Sequence, residues 1–160
     1  STMQRENGFL DTIKKEFPGI ELISSDQRAG ATEEQAYQKS QNLLTRFKEE
    51  VNGIFCPNES AAAGMLGALR QANLNGKVKF VGFDASDKLV QGLASGDIDG
   101  LVLQNPINMA YLGVKTMVLH LSGEPVEARI DTSVTLITKD NMDEPRMMEL
   151  LSPDIDRWLN

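Results

Sequence analysis

Three places in this 160-residue chain set a polar side chain at the end of an apolar, β-prone run: Asn58 after Ile54-Phe55-Cys56, Asp84 after Phe80-Val81-Gly82-Phe83, and Gln104 after Leu101-Val102-Leu103. A carboxylate accepts hydrogen bonds from two adjacent hydroxyls, and primary amides both donate and accept, so the set suits a neutral polyhydroxylated ligand. Phe83, beside Asp84, offers a ring to cover an apolar C–H face of such a molecule. A loop after a further short run, Ile20 to Ser24, adds Gln27 and Arg28. Each residue also has a plainer role open to it. Asn58 and Asp84 are good helix caps, and Gln104 stands in a turn before Pro106. Convergence favours the ligand role, because open α/β sheets bind ligands beyond the carboxyl ends of their strands.

The elements that must hold those ends in place follow from periodicity. Phe9, Leu10, Ile13 and Phe17 recur at helical spacing until Pro18-Gly19, and Ile20 to Ser24 then alternates as a strand. Thr32-Glu33-Glu34-Gln35 has the spacing of a capping box and opens a helix to about Glu50. Strands are predicted at 51–56, 78–83 and 98–103, helices at 61–72, 85–95 and 107–121, a further strand at 130–138, and a methionine-bearing helix from Asp140 onward. Gly64 and Gly67 lie three apart on their helix, where a neighbouring element can approach closely. Strand and helix alternate almost throughout, which is the pattern of an α/β fold with a mainly parallel sheet.

Composition narrows the classes of function. A formal charge of −7 with scattered Lys and Arg argues against a nucleic-acid surface. Cys56 is the one cysteine, so no internal disulfide or CxxC metal pair can form, and its apolar setting makes it a small core residue. No stretch approaches the roughly 20 apolar residues of a membrane helix. Neither a GxSxG elbow nor a phosphate- or dinucleotide-binding glycine loop occurs, and no cluster has metal-ligand spacing. His120, the one histidine, falls late in a helix, and Asp97 and Asp99 flank a turn as solvated carboxylates. The expectation is a non-catalytic protein without cofactor or metal.

Four motifs in register resemble the ribose-binding-protein-like family of periplasmic sugar-binding proteins. They are Arg5-Glu6-Asn7-Gly8-Phe9, Ile54-Phe55-Cys56-Pro57-Asn58-Glu59, Val81-Gly82-Phe83-Asp84 and the run Gly96 to Pro106. The resemblance implies the carboxyl-terminal lobe of a two-lobed receptor, a three-layer α/β sandwich that delivers a monosaccharide to the permease of an ABC transporter in the periplasm. It implies a single unit over 1–160, with 105–129 packed on the other lobe and 140–160 as a tail. The family's first lobe, and the first strand of its second, would precede Ser1. Carried over residue by residue, the ligand groups are Arg5, Asn58, Phe83, Asp84 and Gln104. The loop after the first strand departs from the family pattern, offering Arg28 where ribose binders place an aromatic. A 107–121 helix without its lobe would pair two copies of the chain. The effector domains of LacI-type repressors share the Arg and Phe-Asp signatures and are the alternative, although the Gly96 to Pro106 run looks like the transport class.

Overall fold

In the computed structural model, which describes residues 2–155, three short apolar runs pair in parallel and a fourth closes the sheet antiparallel. The strands β1 (Gly53–Phe55), β2 (Lys79–Phe83), β3 (Gly100–Leu103) and β4 (Thr135–Ile137) lie in the order β1-β2-β3-β4. Ile54 stands opposite Phe80, Gly82 opposite Leu101, and Leu101 opposite Ile137. The helices are α1 (Thr2–Glu16), α2 (Glu33–Phe47), α3 (Glu59–Gln71), α4 (Asp87–Ser95), α5 (Pro106–Leu121) and α6 (Pro145–Leu151).

Period-two alternation puts β2 between two different covers. Phe80 and Gly82 face α3, where a Cβ on Gly82 would stand 3.1 Å from Ala62 Cβ. Val81 and Phe83 face the other way, toward α1, whose Phe9 ring stacks on Phe55 with centroids 4.7 Å apart. The result is a three-layer α/β sandwich, with α1 on one face of the sheet and α2, α3 and α4 on the other. Leu66, Leu69, Phe80, Leu89, Leu93, Ile98, Leu101 and Ile137 are fully buried between the sheet and the second helical layer. The glycine pair behaves as its spacing predicts: a Cβ on Gly64 would sit 2.5 Å from the Tyr37 backbone nitrogen. That close approach lets α2 lie directly on α3.

Helix α5 shares none of this core. No residue of it is buried, and Val114 and Leu121 are 65% and 78% exposed.

Several expectations change. Residues 20–24 are not a strand, because among the described residues no second segment pairs with them in a ladder, and the Ile20 N–H turns back to Phe17 O (2.9 Å). The predicted 130–138 strand shrinks to Thr135–Ile137, the part lying against β3. The tail helix begins at Pro145 rather than Asp140, since the Thr138 N–H donates to Asn141 Oδ1 (2.8 Å) and turns the chain first. Residue 1 and the tail's 156–160 lie outside the described residues. Asp97 and Asp99 are staples rather than solvated carboxylates. Asp97 joins Arg70 (2.7 Å) and Asn75 (2.8 Å), and Asp99 joins Lys79 (2.6 Å) and the Phe80 N–H (2.8 Å).

Candidate functional site at the strand ends

Parallel strands bring the ends of β1, β2 and β3 to one rim, and at its centre the chain does something unusual. Asp84 still donates its N–H to Val102 O (2.9 Å), extending the β2–β3 ladder, but its φ is +66°. Few side chains tolerate that region, Asp and Asn among them. Asp84 is therefore no helix cap. Ser86 holds the N-cap position of α4 in extended conformation, without a side-chain cap hydrogen bond, and its buried Oγ has no partner among the described residues. The Asp84 carboxylate is left to face the rim.

Both of its oxygens meet other candidate residues. Gln104, just beyond β3, donates Nε2–H to Asp84 Oδ1 at 3.0 Å. Arg5 Nη1 lies 3.6 Å from Asp84 Oδ2, an ion pair with both side chains partly exposed, and donates to the Pro57 carbonyl at 2.9 Å. Arg5 reaches this point because it sits four residues before Phe9, on the same face of α1 that the Phe9–Phe55 stack fastens to β1. Its guanidinium carbon stands 3.6 Å above the centroid of Phe83. Among the described residues Arg5 Nε and Nη2 carry no hydrogen bond, so a planar donor pair is open at the rim.

Asn58 adopts the cap role: its Oδ1 accepts from the Ala61 N–H (2.9 Å) and from Ser60 Oγ (3.2 Å). Only Nδ2 remains to donate toward a ligand. Phe83 also departs from expectation. Its ring, predicted to cover an apolar ligand face, is covered by Arg5, and the residue is 5% exposed. Arg28 is not brought in; it stands exposed in the loop before α2, with no hydrogen bond or ion pair to the cluster. Two contributors escaped the sequence reading, the Pro57 carbonyl and the Phe9–Phe55 stack. The second had a signal, the i, i+4 spacing of Arg5 and Phe9.

The rim is open. The cavity between α2 and α3, about 240 Å³ and lined by Gln41, Leu44, Lys48 and Gln71, touches none of these groups. The rim gathers a carboxylate, a guanidinium and two amides, groups that donate and accept hydrogen bonds, and among the described residues no cluster could hold a metal ion. The fold and the rim thus define an α/β lobe with a polar cluster at its strand ends.

Comparison with known proteins places that lobe. The family model of the periplasmic binding protein domain matches residues 1–125, and the chain belongs to that family. It is 38% identical over 100 residues to the ribose import binding protein of Haemophilus influenzae, an alignment covering 62% of this chain and 33% of that one. Among solved structures it is similar to a carbohydrate transporter solute binding protein from Agrobacterium radiobacter in complex with D-arabinose, at 37% identity and a TM-score of 0.86, covering 94% of this chain and 50% of that one. An ABC transporter solute binding protein from Agrobacterium vitis, bound to α-D-tagatopyranose, matches at 31% identity and a TM-score of 0.87, covering 94% and 49%. The chain therefore spans about a third of the curated relative and half of each solved chain.

Proposed function

We propose that this chain supplies one lobe of a non-catalytic receptor that captures a monosaccharide in the periplasm and hands it to an ABC-type permease. The observation that carries the reading is Asp84, a carboxylate turned to the rim by a positive φ, with Gln104 on one oxygen and Arg5 on the other. Such an array can receive two neighbouring hydroxyls while Arg5 donates to a ring or hydroxyl oxygen. Arg5, Asp84 and Gln104 are the principal ligand groups, and Asn58 adds its Nδ2 donor. Arg28 takes no part.

An open rim encloses little of a sugar, so a second lobe closes over it, with α5 packed on that lobe. The unburied α5 and the doubled length of the solved relatives support this arrangement. The three proteins named above are import or transporter binding proteins, and that supports transport over gene regulation. Calorimetric titration of the intact protein with a panel of neutral pentoses, hexoses and polyols tests the reading. Submillimolar binding of one of them, without turnover, is expected. Hydrolysis or isomerisation of the bound sugar would overturn it.

A further inference from the structure

We infer that Phe83 is a positioning residue for the sugar site: it acts on the ligand through Arg5, whose guanidinium it holds flat at the rim. The inference rests on the sugar-binding reading above. Arg5 enters from α1, a different layer from the strand ends, and its long side chain has many rotamers that miss the rim. Three contacts select one of them. The Pro57 carbonyl takes Nη1–H at 2.9 Å, Asp84 attracts the charge from 3.6 Å, and the Phe83 ring lies under the guanidinium carbon at 3.6 Å.

The three do different things. The carbonyl and the carboxylate both act on one end of the group, at Nη1, and leave rotation about that end free. The ring removes that rotation, because a guanidinium pressed on an aromatic face keeps its plane parallel to it. Nε and Nη2 then point outward as a fixed pair. A ligand meeting a donor pair already in place loses less freedom on binding than one that must order it. At 5% exposure, Phe83 has little surface to offer the ligand directly.

The test replaces Phe83 with mono-, di- and trifluorophenylalanine in the intact protein. Ring size stays nearly constant while the negative face is progressively withdrawn, so a purely packing role predicts no trend. Affinity for the sugar found by the panel titration should fall stepwise, reaching about tenfold for the trifluoro ring, within the range of a partly desolvated cation–π contact. In the Arg5→Gln background the same series should change affinity less than about twofold. A flat series in the wild-type background, or an equal decline in both, would overturn the inference. A readout without ligand separates it from the functional reading. The Arg5 Nε order parameter, from 15N relaxation in the sugar-free protein, should fall along the series, and a constant order parameter would overturn the positioning role. Failure of every sugar to bind while the order parameter still falls would instead overturn the sugar-receptor reading.

Discussion

Replacing Asp84 by Asn separates ligand recognition from stability, because the one structural role left to an acid there, the partly exposed pair with Arg5, is a weak one. The residue caps no helix, and Asn adopts φ near +66° as readily as Asp. What changes is charge and one acceptor. With its oxygen kept toward Gln104 Nε2, the introduced amide would present its NH₂ group to Arg5 Nη1 in place of the carboxylate oxygen now 3.6 Å away. Loss of a partly exposed pair at that distance costs about 0–1 kcal/mol. The thermal midpoint should fall by no more than about 4 °C. Binding suffers more. A hydrogen bond to a charged group is worth about 1.5–3 kcal/mol, so losing one charged acceptor weakens sugar affinity roughly ten- to a hundredfold. Asp84→Gly sharpens the contrast, since glycine relieves the positive φ and should leave stability level or raised while abolishing binding. Calorimetry for affinity and scanning calorimetry for the midpoint, on the intact protein, make the comparison. Unchanged affinity in Asp84→Asn would refute the reasoning, and a fall in affinity matched by a collapse in stability would show the residue to be structural.

Four further outcomes are expected. Gly64→Ala drives a Cβ to 2.5 Å from Tyr37 N and 2.7 Å from Ala36 Cβ, so α2 must shift, and urea denaturation should show a loss of about 1–3 kcal/mol. The Asn75 amide, opposed by desolvation and aided by Arg70, holds the Asp97 carboxyl below its ordinary range. Its contribution to stability is therefore complete above about pH 4, the unfolded value, and disappears as pH falls through the lower folded value; in Asp97→Asn the urea midpoint should be lower at neutral pH and vary less on the acid side. Burial pushes the Cys56 thiol up to about 12, so an aromatic disulfide reagent at pH 8 should label it only as fast as the protein unfolds. Residues 1–160 expressed alone should self-associate through α5 in sedimentation, and Val114→Glu with Val118→Glu should return a monomer; a wild-type monomer with α5 protected from hydrogen exchange would count against this.

The order of elements, and the residues standing at strand ends, were set locally and so could be read from the chain. Apolar runs bounded by turns became β1, β2 and β3, Thr32 capped α2 through the Gln35 N–H, and Gly64 marked the close approach of α2 to α3. Asn58, Asp84 and Gln104 reached one rim because β1, β2 and β3 run parallel side by side, which places their carboxyl ends together. What depends on a partner from elsewhere in the sequence was decided by packing alone. Residues 20–24 have strand-like alternation but no ladder partner among the described residues, and Arg28 has a suitable charge but no hydrogen bond or ion pair to the cluster. Phe83 looked like a ligand platform until α1 brought Arg5 across its ring, and Asp97 and Asp99 looked solvated until Arg70 and Lys79 came within 2.7 Å and 2.6 Å. Asp84 is the mixed case. Its position was local, but whether its carboxylate capped α4 or faced the rim depended on a φ of +66° at the point where the β2–β3 ladder ends, which the sequence pattern does not carry.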